Sequence, residues 1–208
     1  MKSFEEIVTA RRSANKFLPD IKITESELND IFSLVKYAPS SFNLQPTEYL
    51  VITDPDKIEQ VYVAAEKQYK IKTAPATIIV LGNKYAYRDA ARIYEGMLHL
   101  GMLNKQQFDM TVADTIESYE KRGETFKRED AIRNASISAM QFMLIAKDKG
   151  WDTCPMVGFD PEALIRDFNI PEHLVPVMLI SIGKEDKKSS RPRGYRRPIG
   201  EFVKYNSL

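Results

Sequence analysis

Pro39-Ser40-Ser41-Phe42-Asn43-Leu44-Gln45-Pro46 is the stretch on which the reading of this chain turns. Two prolines bracket it, and Ser and Asn between them favour turns. Turn chemistry accounts for Pro39 and Ser40 but not for Phe42, Asn43 and Gln45 in company. In a rigid loop, an Asn and a Gln can read the edge of a flat heterocycle by donating and accepting hydrogen bonds. Outward from this loop, Arg11-Arg12-Ser13 lies near the start and Arg191-Pro192-Arg193-Gly194-Tyr195-Arg196-Arg197-Pro198 near the end. Guanidinium groups and hydroxyls hold phosphates through charge-assisted hydrogen bonds. Taken alone, Arg11 and Arg12 could instead close a helix and complement the negative end of its dipole. Together the three segments point to a phosphorylated aromatic cofactor held between the two ends of the chain.

With 208 residues, 43% hydrophobic and 28% charged, the chain can bury a sizeable core without staples. We expect one domain over residues 1–208. A formal charge of +1 gives no global pull toward nucleic acid or an anionic membrane. The single cysteine, Cys154, cannot form an internal disulfide, which suits a reducing compartment. The opening Met-Lys-Ser-Phe-Glu-Glu lacks the apolar run of a secretory signal, and no run approaches a membrane span. A soluble, cytoplasmic protein is the expectation.

Ser3 and Glu6 have capping-box spacing, predicting a helix that ends near Arg11; Thr24 and Glu27 predict a second, with Leu28, Ile31, Phe32 and Val35 as its apolar stripe. Tyr49–Ile52 reads as a strand, and Asp54-Pro55 as the start of a helix. Ala76–Leu81, β-branched and apolar, reads as a central strand buried on both faces, and Val175–Ile182 as another. Helices are expected over Tyr85 to about Asn104, over Thr111–Lys121, and over Glu129–Lys149 with Gly150 as its stop. Asp160-Pro161 opens a last helix. Strands separated by helices imply a layered domain of α/β type, with a strand order that pattern alone leaves open.

The order and spacing of the three polar segments, from about residue 3 to residue 204, resemble the nitroreductase family of FMN-dependent oxidoreductases. That resemblance implies an α+β, three-layer fold: a mixed, largely antiparallel sheet flanked by helices in an intertwined homodimer. It implies that a C-terminal extension, about residues 184–208, completes the site. Arg11, Ser13 and Arg196 would meet the FMN phosphate, with Arg193 and Arg197 as alternatives in the tail, and Arg12 would approach the ribityl chain or ring edge. Pro39, Ser40, Ser41 and Asn43 would reach the flavin of the second subunit, so that sites are shared. Gln68 and Lys70 would lie near the pyrimidine edge, although a solvated helix end explains each as well. Pro155, Met156, Val157 and Gly158 would run over the ring, with backbone N–H groups facing N5. Phe42, Phe108 and Phe126 would wall a substrate pocket. Two departures stand out: Asn15, where many relatives carry a cation near N1, and Val157, where Gly or Glu is common.

The implied activity is NAD(P)H-dependent reduction of nitroaromatics, quinones or related acceptors in ping-pong fashion, with the flavin rather than a side chain carrying the chemistry. Other branches of the superfamily suggest reductive dehalogenation or another non-nitro reduction. From a different class, the seven Lys and Arg residues between Lys184 and Arg197 could form a nucleic-acid-binding arm, against which the near-zero net charge stands. His99 and His173 have no metal-ligand spacing, so no metal site is expected. Cys154 reads as a small buried residue rather than a redox thiol.

Overall fold

A computed structural model describes residues 3–207. Helix α1 (Phe4–Ala10) begins at a capping box, in which Ser3 accepts from the Glu6 N–H and Glu6 accepts from the Ser3 N–H. Helix α2 (Glu25–Val35) repeats the device with Thr24 and Glu27 and buries Leu28, Ile31 and Val35. Strand β1 (Thr47–Ile52) leads to α3 (Pro55–Ala64), whose first turn is capped by Asp54 with Pro at its start. A short helix α4 (Tyr69–Thr73) precedes β2 (Ala76–Asn83). Helix α5 (Ala90–His99) and the long α6 (Lys105–Asp148) follow, then β3 (Asp152–Met156), α7 (Pro161–Asp167), β4 (Leu174–Gly183) and α8 (Ile199–Phe202).

The strands form one sheet in the order β1-β2-β4-β3, with every neighbouring pair antiparallel. The mixed character of the sheet comes from one parallel bridge, Ser13 beside Thr153. Side-chain alternation divides the core in two. Ile79, Leu81 and Leu179 face α3, α4 and α7, where Val61, Ile71 and Leu164 are fully buried. Ile78, Val80, Ile180 and Ile182 face α2 and the second half of α6, among Ile31, Ala135, Ala139 and Phe142. Helices therefore cover both faces, giving three layers. Each fully buried aliphatic side chain contributes about 1.5–3 kcal/mol, so a one-residue slip that exchanged the two faces would be prohibitive.

Several elements differ from expectation. The two helices anticipated over residues 111–121 and 129–149 are present but longer, and they meet at a kink at Gly123 (φ 75, ψ −179) within the run Lys105–Asp148. The run starts early because Asn104 and Gln107 make a third capping box. Residues 86–89 form a 3-10 turn, so the α5 helix is shorter than the span predicted for it. Strand β3 carries Pro155, which cannot donate to a ladder, and accordingly lies at the sheet edge. Opposite Val80 and Leu81 the β2–β4 register shifts, at the point where β4 contains Pro176.

Candidate functional site

The N-terminal segment reaches β3 through the Ser13–Thr153 bridge, with the Ala14 N–H donating to the Thr153 carbonyl at 3.0 Å. This contact sets Arg11–Asn15 alongside the strand that leads into Pro155–Gly158. The tail then folds onto the segment. Arg193 donates to the Thr9 carbonyl and, at 3.1 Å, to that of Arg11, satisfying the open end of α1. Asn15 donates its side-chain amide to the Ser189 carbonyl at 3.2 Å, tying the tail where it leaves the body.

Between segment and tail lies a cavity of about 210 Å³ lined by Arg11, Arg12, Ser13 and Asn15 on one side and Arg191, Arg193 and Arg196 on the other. Among the described residues none of its five arginines makes an ion pair. Burial, then the nearby Arg193 and Arg196 cations, lower the Arg11 pKa, so this guanidinium sits in an uncompensated positive field. Such a cluster is stabilised by an anion with several acceptor oxygens. The helix-closing role open to Arg11 and Arg12 on sequence grounds falls instead to Arg193.

Two further segments meet the same strand. Gln68 donates to the Gly158 carbonyl at 2.7 Å, joining the start of α4 to the loop after β3. Burial pushes the Cys154 thiol up, while Lys70 and Arg11 act on it in the opposite direction, which places both cations close to this buried sulfur. Among the described residues, no backbone hydrogen bond outside the regular elements uses the Val157 or Gly158 N–H. The Val157 side chain is 76% exposed and borders a second cavity with Ile132, Phe159 and Leu174.

The Pro39–Pro46 loop sits elsewhere. Pro39, Ser40 and Gln45 line a cavity with Phe32, Tyr49 and Ser138, and it shares no residue with the arginine cavity. Phe42 (φ 53), Asn43 (φ 55) and Gln45 (φ 50) are all left-handed, a conformation costing about 1–2 kcal/mol for most residues with a Cβ. Local bonds oppose that cost: the Gln45 N–H donates to Ser40 Oγ at 2.9 Å, and Tyr94 donates to the Phe42 carbonyl at 3.0 Å. Phe42 remains 53% exposed and meets Tyr119 edge-on at 6.1 Å. Phe126 packs against the same tyrosine at 5.3 Å with Arg122 over its ring, and Phe108 lies at the rim of this cluster. Two of the three candidate pocket phenylalanines, Phe42 and Phe126, thus flank Tyr119, which sequence reading did not single out.

These features match known proteins over the whole chain. The nitroreductase family model aligns with residues 8–184. The Bacillus subtilis protein named "Putative NAD(P)H nitroreductase MhqN" is 55% identical over 205 residues, spanning 99% of this chain and 100% of its own. The chain belongs to the nitroreductase family. The solved structure of "putative nitroreductase ydfN" from Bacillus subtilis superposes with TM-score 0.95 at 54% identity, covering 97% of this chain and 98% of that one. A "putative nitroreductase in complex with FMN" from Exiguobacterium sibiricum gives TM-score 0.91 at 29% identity, covering 99% and 98%.

As a nitroreductase-family chain, it brings residues 11–15, 68–70, 155–158 and the tail arginines to one edge of the sheet while the 39–46 loop stays on α6. Among the described residues no cluster of His, Cys, Asp and Glu could hold a metal, and no helix is long and apolar enough to cross a membrane. The 184–197 arm is largely exposed, and its basic residues do not form one continuous stripe. Arg191, Arg193 and Arg196 converge with Arg11 and Arg12, and Lys184 lies over the Trp151 ring at 4.0 Å.

Proposed function

We propose that this protein is an FMN-dependent oxidoreductase that uses NAD(P)H to reduce nitroaromatic, quinone or related acceptors. The observation that carries the reading is the arginine cavity: five guanidinium groups with no carboxylate partner among the described residues, in a space of about 210 Å³ beside β3. The donor set fits a phosphate dianion, and the neighbouring Gln68, Lys70 and Pro155–Gly158 suit a flat, polar-edged ring. In this reading Arg11, Ser13 and Arg196 hold the phosphate, Arg193 shapes the cavity by fixing α1, and Asn15 keeps the tail in place. Lys70 sets a positive charge near the ring edge, and the Val157 and Gly158 N–H groups remain available to it. The chemistry supplied at such a site is acceptance of a hydride from reduced nicotinamide and delivery of its electrons to an acceptor, in two half-reactions. Exclusion of water and stacking room for two flat substrates in turn fall to Phe42, Tyr119 and Phe126.

The site is shared between two copies of the chain. Within one copy the Pro39–Pro46 loop does not line the arginine cavity, so a cofactor touching both requires a neighbour. Apolar surface suited to that contact is present: Phe4, Leu34, Ile137, Met140, Leu144 and Ile145 border one exposed depression. Residues 184–208 act as an extension that completes a single domain, and the free, buried Cys154 suits a cytoplasmic setting. The deciding experiment is an absorbance spectrum followed by an acceptor panel under NADH and NADPH. A flavin band near about 450 nm and reductase turnover are expected. Protein that stays colourless after incubation with FMN, and inert toward every acceptor, would refute the reading.

A further inference from the structure

We infer that Asp130 and Asn134 are positioning residues of the cofactor site, holding the Ser40–Gln45 loop in the shape that meets the flavin of a second copy of the chain. The inference rests on the flavin reading above. Both residues lie on α6 one turn apart, and both are buried, at 7% and 3% exposure. With Lys127 and Ser138 they form a buried polar row beside the small apolar face of Ala131, Ala135 and Ala139.

Their bonds converge on one loop residue. Asn134 Oδ1 accepts the Ser41 backbone N–H at 2.9 Å, and its amide donates to Ser41 Oγ at 3.3 Å and to the Asp130 carbonyl at 2.7 Å. Ser41 Oγ donates to Asp130 Oδ1 at 2.9 Å, while Tyr119 donates to Asp130 Oδ2 at 2.6 Å. Each carboxylate oxygen is therefore spoken for, and no described buried polar side-chain atom lacks a partner. A buried carboxylate and amide are expensive to desolvate, and a plain turn needs neither. What needs them is the backbone immediately after Ser41, where Phe42, Asn43 and Gln45 are left-handed. Strained backbone of this kind persists only where its surroundings over-determine it, and it gathers at ligand clamps. The same carboxylate orients Tyr119, the ring against which Phe42 packs, so one buried group sets both the loop and its aromatic neighbour.

Asn134→Ala and Ser41→Ala test the assignment, with Arg133→Ala as a control: Arg133 is exposed on the same helix and paired with Glu129. FMN is titrated into each apoprotein by flavin fluorescence, and hydrogen exchange is followed over residues 38–46. Expected are a rise of about tenfold or more in the FMN dissociation constant for Asn134→Ala, a smaller rise for Ser41→Ala, and faster exchange at the loop in both. The control keeps native values. Should Asn134→Ala fail to fold, Ser41→Ala removes one hydroxyl only and carries the test. Native FMN affinity or native loop exchange in the folded variants, or an equal loss in the control, overturns the assignment. If the wild-type protein binds no FMN at all, the flavin reading fails and the assignment with it. Faster loop exchange would then show only a structural clamp.

Discussion

Arg11 concentrates the argument at the scale of single residues. It lines the cavity, faces two further cations and has no acidic partner among the described residues, so an anionic ligand is its natural complement. Arg11→Ala should raise the FMN dissociation constant about ten- to a hundredfold, the equivalent of roughly 1.5–3 kcal/mol for a lost charge-assisted contact. Unchanged affinity by titration would remove Arg11 from the site. Some of this was legible beforehand. Arg-Arg-Ser and the Arg-rich tail pointed to one cationic site, and the structure brings Arg11 and Arg12 together with Arg191, Arg193 and Arg196. Arg193 was harder to read, since its hydrogen bonds go to Thr9 and Arg11 carbonyls that only folding brings near. Asn15, which departs from the cation that many relatives carry, donates its amide to Ser189, a contact separated by most of the chain.

Elements follow a simple division. Those marked by local chemistry were readable: the Ser3–Glu6 and Thr24–Glu27 boxes, the Asp-Pro starts of α3 and α7, and the apolar runs of β2 and β4. Strand β3 was not, because a short segment containing Pro becomes a strand only when a partner edge accepts it. The two helices anticipated in the middle of the chain are present, and the non-helical Gly123 marks the kink between them. Contact between layers depends on a second glycine. A Cβ at Gly82 would come within 2.9 Å of the Ala131 carbonyl oxygen, so β2 and α6 approach through the absence of a side chain. Gly82→Ala should therefore destabilise the fold by about 1–3 kcal/mol, the usual cost of overpacking. Urea denaturation with an unshifted midpoint would show that α6 yields at no cost.

For the whole molecule the question is how the two halves of the site meet. The arginine cavity and the Pro39–Pro46 loop share no residue, and in the proposed shared site their union calls for a second chain. Refolding a mixture of Arg11→Ala and Asn43→Ala chains should restore one intact site in each mixed dimer, about half the flavin of the native dimer, though each parent binds poorly. Verified mixed dimers that recover neither flavin nor turnover would argue for a site built within one chain.

By itself the sequence determined where the capped helices and the apolar strands β1, β2 and β4 lie, and which residue types could hold a phosphorylated flavin. Those properties rest on capping, periodicity and side-chain chemistry, all of them local. Only the tertiary structure decided that Ser13 bridges to Thr153, that the tail closes over α1, and that Asp130, Asn134 and Tyr119 grip the loop at Ser41. Each of these joins groups far apart in the chain. Their pairing is set by the burial of two faces of one sheet, and no short-range pattern records it.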